Sequence, residues 1–357
     1  MLKDHLLEEL APLNLNLARL KCLMLLMTAL LRHKTVNLTF LSTENHTGAK
    51  NESCYRRFQN FFLKAPLCFI GIGKFILSRL PKPIDGWVLS MDRTNWQFGK
   101  LDINILTVGV IVNKVAIPIA WTCLPKASKR GNSKTCHRIA IFKKVLKLME
   151  ACDIRFIAMD REFGGKKWLS WLDSQGVGYI VRVKSNTIVG NRLAHQHSKT
   201  RKRNKPYESS KVWQMDVFFA CKSITCKGRR DEKLYVISNH FCGPEALELY
   251  KLRWGIELLF SHLKERGFNL EDTHMTNTKK VEKLFAVVSL AFLFSYAWGC
   301  TLRKTRKQTA ALKRKSHFRL GLEDILRLLN NPHLPKGELS CFTRWLKQPV
   351  WNEIFVV

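Results

Sequence analysis

Two apolar segments that each end in an aspartate constrain the fold of this chain more than any other feature. WVLSMD ends at Asp92 and IRFIAMD ends at Asp160. Both are short and rich in aliphatic and aromatic residues, which predicts buried strands. Helical patterns at 138–151 and 166–174 flank the second segment, and such alternation is typical of a mixed sheet flanked by helices. Since α/β folds place their sites at the carboxyl ends of strands, we expect both aspartates to face one site.

An aspartate at the end of a strand also has a purely structural explanation, because its carboxylate caps helices and forms turns. For either aspartate alone, this explanation is as good as a functional one. Two of them occur here, in DRTNW and DREFGG, and an arginine follows each directly. The pair therefore favours a functional site.

The charge of the chain points to a polyanionic partner. There are 60 Lys and Arg residues against 28 Asp and Glu residues, a formal net charge of +32 at pH 7. This charge is too high for an ordinary enzyme of small metabolites, and it predicts nucleic acid first and an anionic membrane second. With 46% hydrophobic residues the chain can form a core, which excludes a disordered protein.

Export and membrane patterns are weak. The apolar run at 20–31 is short and follows acidic residues, unlike a signal peptide. The apolar stretch at 284–302 contains Ser, Gly and Cys and is typical of a buried core helix. The 11 cysteines lack a paired framework, which suits a reducing compartment. We expect a cytoplasmic protein without a membrane partner.

Changes of pattern along the chain predict five regions. Before residue 82 the apolar periodicity is helical, and a candidate helix-turn-helix presents Arg56 and Arg57 to DNA. A helical bundle with a basic solvent-facing side explains this pattern equally well. The predicted regions are a helical, candidate DNA-binding region (1–81), the first part of the mixed-sheet core (82–185), an inserted β-rich subdomain (186–233), the second part of the core (234–300) and a basic helical C-terminal region (301–357).

A third acidic residue, Glu257, lies on a helix predicted from about residue 244 to about residue 266. At about 100° per residue, one narrow polar stripe of this helix contains Tyr250, Arg253, Glu257 and Lys264. Pairing of Glu257 with Arg253 on a solvated helix face is the structural explanation. It leaves the two aspartates at strand ends unexplained.

Three carboxylates at one end of a mixed sheet suit hard divalent cations such as Mg²⁺ or Mn²⁺. Two such ions about 4 Å apart activate an attacking water or 3′-hydroxyl and stabilise the leaving oxygen of a phosphodiester. The sequence therefore predicts metal-dependent nuclease or strand-transfer chemistry, with Asp92, Asp160 and Glu257 as the acidic groups. Neighbouring basic residues would hold the DNA.

The pattern Y-x2-R-x3-E-x6-K at 250–264 resembles the YREK signature of the insertion-sequence-four family of bacterial DDE transposases. The segments DRTNW, DREFG and YKLRWGIELLFSHLK occur in the family's order, and the resemblance extends from about residue 35 to about residue 330. It implies an RNase H-like mixed sheet flanked by helices, with an inserted β-rich subdomain and a helical N-terminal DNA-binding region.

The resemblance also implies roles for individual residues. The implied catalytic ligands of two Mg²⁺ or Mn²⁺ ions are Asp92, Asp160 and Glu257, and the implied contacts to transposon-end DNA are Tyr250, Arg253 and Lys264. Relatives stack a tryptophan of the inserted subdomain on a flipped base, and Trp213 is the only tryptophan in this insertion. The implied partners are terminal inverted repeats, target DNA and a second copy of the chain on paired ends, at the bacterial nucleoid.

The predicted function is therefore a DNA transposase that cleaves at insertion-sequence ends and joins the freed 3′-hydroxyls to target DNA. Two alternatives stay open. An RNase H-like nuclease would cut DNA without strand transfer and without specific end binding. An inactive transposase-derived protein would only bind DNA, although the presence of all three carboxylates argues against it.

Overall fold

The computed structural model describes residues 2–44, 48–125, 133–200, 209–224, 232–307, 309–331 and 336–351. The basic run at 201–208 in the predicted insertion and the end of the predicted C-terminal region at 352–357 lie outside these residues. The described helices that precede the first strand are α1 (Leu2–Leu10), α2 (Leu17–His33), α3 (Leu38–Leu41), α4 (Asn51–Lys64) and α5 (Phe69–Ser78).

The N-terminal helices bury one apolar side each. In α4, Cys54, Phe58, Phe61 and Phe62 are buried at helical spacing. At the start of α2, Asn16 Oδ1 accepts a hydrogen bond from a backbone N–H, as an N-cap residue does. These buried side chains belong to the same hydrophobic cluster as those of the sheet. The region predicted at 1–81 is therefore helical, and it shares its core with the rest of the protein.

The strands follow in chain order. They are β1 (Trp87–Phe98), β2 (Leu101–Val112), β3 (Val115–Cys123), β4 (Ile154–Met159), β5 (Tyr179–Arg182), β6 (Ile188–Val189), β7 (Arg192–Leu193), β8 (Ser209–Val212), β9 (Met215–Ile224) and β10 (Glu232–Ser238). Eight of the described strands form one sheet in the order β3-β2-β1-β4-β5-β10-β9-β8. β4 pairs in parallel with β1 and β5, whereas the other pairs are antiparallel.

The remaining described helices flank this sheet. They are α6 (Thr135–Val145), α7 (Lys166–Ser174), α8 (Ala194–Thr200), α9 (Gly243–Tyr250), α10 (Trp254–Leu263), α11 (Thr278–Thr305), α12 (Ala310–Lys313), α13 (His317–Asn330) and α14 (Lys336–Leu346). The predicted α/β class, a mixed sheet flanked by helices, is confirmed.

α11 is the helix predicted as a buried core helix. Among the described residues it is the single unbroken helix long and apolar enough to span a membrane, and its apolar stretch is completely buried inside the protein; two bent helix pairs pass the same length and composition test. Two glycines allow α13 to cross it closely. A Cβ atom at Gly299 would lie 1.8 Å from the carbonyl oxygen of His317, and one at Gly321 would lie 1.8 Å from that of Ser295. Backbone therefore packs directly against backbone at this crossing.

The predicted end of the first strand at Asp92 was wrong. β1 continues to Phe98 because its antiparallel pairing with β2 continues as far as Phe98 and Leu101. Its parallel pairing with β4 ends at Met91 and Met159. Asp92 therefore lies one residue beyond the point at which the neighbouring parallel strand ends.

The continuous helix predicted from 244 to 266 was also wrong. A 3-10 turn at Lys251–Arg253 separates α9 from α10, and the carbonyl oxygen of Arg253 accepts a hydrogen bond from Ser90 Oγ of β1 (3.4 Å). α10 ends at Leu263, because the chain folds back at Gly267, where a Cβ atom would lie 2.0 Å from the helix carbonyl of residue 262. Lys264 therefore lies outside the helix.

The segment predicted as an inserted β-rich subdomain contributes to the main sheet. β9 pairs with β10, and β8 pairs with β9 at the edge. β6 and β7 form a separate small hairpin. The insertion thus extends the sheet on the side of β5, next to the end of β4.

Candidate active site

Asp92 and Asp160 lie on neighbouring parallel strands at the same end. Met91 of β1 pairs with Met159 of β4, and each aspartate is the next residue. Parallel neighbours are about 4.8 Å apart, so the two aspartates are adjacent. Asp160 precedes a 3-10 turn but makes no side-chain capping bond, which removes the structural explanation for this residue.

The side of β1 that carries Asp92 faces the turn between α9 and α10. Side chains alternate along a strand, so Asp92 points the same way as Ser90, whose Oγ donates to the carbonyl oxygen of Arg253 (3.4 Å). Arg253 Nη1 lies 3.6 Å from Asp92 Oδ2. Arg253 also pairs with Glu257 one turn later. One guanidinium therefore lies between the first and third predicted acidic residues.

Burial raises the pKa of the Asp92 carboxyl to about 6. The Arg93 backbone N–H, which donates to Oδ1 at 2.8 Å, and the Arg253 guanidinium both lower this pKa, whereas Glu162 and Asp160 raise it. Asp160 Oδ1 is buried and accepts no hydrogen bond; the nearest ion-pair partner, Arg182 Nη1, is 4.0 Å away. Each carboxylate thus has an arginine nearby, at 3.6 Å for Asp92 and at 4.0 Å for Asp160.

Sequence reasoning missed Glu162, which joins the two aspartate strands. It pairs with Arg93, whose Nε lies 2.8 Å from one carboxylate oxygen and 3.0 Å from the other. The guanidinium of Arg93, the residue after Asp92, therefore pairs with Glu162 and not with Asp92. Buried Arg138 donates to the carbonyl oxygen of Glu162 (2.8 Å) and to that of Ser133 (2.7 Å). This network fixes the turn that follows β4.

Arg182 was missed as well. It ends β5, the next parallel strand, and its guanidinium lies near Asp160 and pairs with Glu232. The available signal was its place in GYIVRVKS, a strand pattern whose carboxyl end meets the same edge of the sheet.

An open cavity of about 1410 Å³ lies beside Asp160. Arg161 and Gly164 line one side and the β8–β9 turn, with Trp213 and Gln214, lines the other. A Cβ atom at Gly164 would lie 2.9 Å from Cη2 of Trp213, so the indole packs on this glycine. The cavity thus connects the tryptophan of the insertion to the second aspartate.

Trp213 has an unusual backbone conformation. It and Gln214 have φ values of 51° and 65°, as the two central residues of a tight hairpin turn require. A bulky side chain there is strained, at a cost of about 1 kcal/mol, and such strain clusters at functional sites. Lys166 Nζ donates to Gln214 Oε1 and ties this turn to the start of α7.

The other predicted site residues are placed less centrally. Tyr250 is buried, its hydroxyl makes no hydrogen bond, and the Arg253 guanidinium carbon lies 5.8 Å from the centre of its ring. Lys264 Nζ lies 3.2 Å from the carbonyl oxygen of Asn95 and 2.5 Å from Glu271 Oε1. The predicted stripe is therefore compact from residue 250 to 257, and its lysine is paired locally.

Arg56 and Arg57 are exposed on α4. α3 and α4 occupy the positions of the two helices of the predicted helix-turn-helix, and residues 45–47 between them lie outside the described part of the chain. No contact joins these arginines to the acidic residues among the described interactions. Their predicted role in DNA binding stays a prediction.

The carboxylates fit divalent metal ions in part. Asp92 and Asp160 offer adjacent oxygen ligands, Oδ1 of Asp160 accepts no hydrogen bond, and burial penalises the anion of Asp92. Within the described residues, no three His, Cys, Asp or Glu side chains come together in a metal-binding group. Glu257 Oε1 pairs with the Arg253 guanidinium, so a metal ion at this third carboxylate would compete with that guanidinium.

Comparison with known proteins identifies part of the chain. Residues 128–294 match a transposase DDE domain. The matched segment is less than half of the 357 residues; it contains Asp160 and Glu257 and begins after Asp92. It supports a DDE transposase, and thus a nucleic-acid-cleaving enzyme, without distinguishing the insertion-sequence-four group from other groups.

Further comparisons add little. No curated protein matches the sequence. A solved structure of a piggyBac transposase synaptic complex with hairpin DNA has 12% sequence identity and a TM-score of 0.44, over 91% of this chain and 74% of that chain. A likeness this distant assigns neither fold nor function.

Proposed function

We propose that the protein is a transposase that cleaves DNA at insertion-sequence ends and joins the 3′-hydroxyl ends to target DNA. The observation that carries this proposal is the position of Asp92 and Asp160 on adjacent parallel strands, beneath Arg253 and Glu257. The match of residues 128–294 to a transposase DDE domain supports it, and the mixed sheet agrees with the RNase H-like fold that the YREK resemblance implies.

In this proposal Asp92 and Asp160 hold divalent cations, Mg²⁺ or Mn²⁺, and Glu257 completes the set. When bound, two such ions lower the pKa of an attacking water or 3′-hydroxyl and stabilise the leaving oxygen. Arg253 releases the carboxylates and turns to the scissile phosphate, a role that suits a guanidinium. Tyr250 and Lys264 contact the DNA end.

We assign the cavity beside Asp160 to the DNA end and Trp213 to stacking on an unpaired base. Stacking of a base on an aromatic ring stabilises it by about 1–3 kcal/mol, which offsets the strain of the turn and part of the cost of unstacking. The transposase would act as at least a dimer, because two transposon ends must be cut and joined together.

The test uses labelled DNA that carries the element's own terminal repeats, read from the flanks of the gene. Cleavage and joining are measured with Mg²⁺, with EDTA and for Asp160→Ala. We expect metal-dependent nicking at the repeat boundary followed by joining, both lost in the variant. Cutting without joining would favour a nuclease. Binding without cutting under all metals would favour an inactive DNA-binding protein.

A further inference from the structure

α2 and α11 pack against each other, and each carries cations in its first turn. α2 carries Arg19 there, and α11 carries Lys279 and Lys280; neither first turn contains an acidic residue. Helix N-termini carry partial positive charge, so cations at this position are unfavourable. Burial lowers the pKa of Lys283. The positive charges of Arg19, Lys279 and Lys280 lower it further.

These four residues, here called the basic cluster, have no carboxylate partner within the part of the chain that the structure describes. Lys283 Nζ donates to the carbonyl oxygen of Leu63 at the end of α4 (3.2 Å). Glu282, their neighbour in sequence, points to the sheet instead. Its Oε1 accepts from Thr122 Oγ1 (2.9 Å) and from the Cys123 backbone N–H (2.7 Å).

A polar groove continues the basic cluster along α4. It has a volume of about 190 Å³ and lies between α4 and residues 273–277, with Tyr55, Gln59, His274 and Lys280 in its lining. Lys280 belongs to both features. Tyr55, Gln59 and His274 supply groups that can donate hydrogen bonds to phosphate or sugar oxygens.

The groove is connected to the candidate active site by the chain itself. The segment after Lys264 leads to His274, whose ring lies 5.2 Å from that of Phe98 at the end of β1. Thr35 Oγ1 donates to Asp272 Oδ2 (2.6 Å) and attaches the same segment to the N-terminal helices. DNA that contacts this groove would therefore lie near Phe98, at the end of the strand that carries Asp92.

We propose that α4 and the first turns of α2 and α11 form one composite surface that binds the phosphate backbone of duplex DNA. This inference rests on the proposed function for the choice of DNA. It differs from recognition by α4 alone, because much of the positive charge comes from α2 and α11, which are distant from α4 in sequence. Unpaired cations at two helix N-termini lower stability, and an external polyanion removes that penalty.

The test replaces Arg19, Lys279 and Lys280 together by Gln and leaves Lys283 in place, because Lys283 bonds to α4. The matched control replaces three other exposed lysines by Gln, namely Lys74, Lys143 and Lys147 on and beside α5 and α6. Duplex binding is measured by fluorescence anisotropy in EDTA over a range of KCl concentrations, and unfolding by urea for all three proteins.

We expect the cluster variant to bind random-sequence duplex at least about tenfold more weakly. The slope of log K against log [KCl] should correspond to up to about three fewer phosphate contacts. The urea midpoint should stay equal or rise. Equal losses in the two variants would show a general effect of charge and overturn the composite surface. Unchanged duplex binding, with loss of binding to phosphatidylserine vesicles, would overturn it in favour of a membrane surface.

This experiment is independent of catalysis, because binding is read without metal. If the wild-type protein cuts no DNA but the cluster variant still loses duplex binding, the composite surface stands and the transposase proposal fails. If the cluster variant binds and cuts like the wild type, the transposase proposal stands and the composite surface fails.

Discussion

Arg253 Nη1, in the turn before α10, lies 3.6 Å from Oδ2 of Asp92 on β1, although the two residues are far apart in sequence. The same guanidinium pairs with Glu257. A cation supplied by the protein thus lies between two of the carboxylates that the proposed chemistry assigns to metal ions, and it offsets part of their negative charge.

Replacement of Arg253 by Met should expose this competition. Loss of the guanidinium leaves Asp92 and Glu257 without their counter-charge, so we expect a loss of about 3 kcal/mol in the free energy of unfolding. Mn²⁺ should then raise the thermal midpoint more in the variant than in the wild type. Arg155→Met, at the other end of β4, is the control. Equal Mn²⁺ shifts in all three proteins would contradict the competition.

Gly164→Ala should act through Trp213. The added methyl group would lie 2.9 Å from Cη2 of the indole, so the ring must move away from residue 164. We expect end cleavage by Gly164→Ala and by Trp213→Ala to fall by similar factors, and the double variant to be no worse than either one. Additive losses would mean that the glycine acts independently of the tryptophan.

Acid should destabilise the protein through His262. This ring is buried, with centroids 4.9 Å from Phe318 and 6.1 Å from Phe292, and burial, followed by the charge of Arg266, lowers its pKa to about 4. Between that value and its ordinary 6.5, the unfolded chain binds more protons, so stability falls as pH falls.

At about pH 5 this one residue should cost about 2 kcal/mol relative to pH 7. Urea unfolding of wild type and His262→Leu at both pH values isolates the contribution, since the other titrating groups are common to both. The variant should lose less stability on acidification. Parallel losses would show that the histidine takes no part.

Gly299→Ala should be among the most destabilising single changes in the chain. Its methyl group would meet the His317 carbonyl at 1.8 Å, and backbone cannot move aside as a side chain can. We expect a loss of at least about 3 kcal/mol, measured by urea unfolding. Gly337→Ala, with no atom within 4 Å of the added group, is the control and should leave stability unchanged or slightly higher.

The sequence predicted features that depend on local pattern. Its apolar segments located β1, which carries Asp92, and β4, which ends just before Asp160. The helix predicted at 166–174 matches α7. Predictions of this kind depend only on the neighbours of each residue along the chain.

Features that depend on distant partners were missed. The length of β1 is set by its pairing with β2, and the break before α10 lies where Ser90 bonds to the carbonyl of Arg253. The pairing of Arg93 with Glu162 joins two strands, so neither residue's own surroundings in sequence indicate it. Tertiary contacts of this kind override local propensity.

The parallel pairing of β1 with β4 also determines the order in which this site can form. β1, β2 and β3 are joined by two-residue turns and can pair within microseconds. β4 joins them only after a longer loop closes, and α10 must reach the sheet from beyond β10. A folding chain should therefore bring Asp92 and Asp160 together before Arg253 arrives, so weakening of α10 should accelerate unfolding and leave the refolding rate nearly constant.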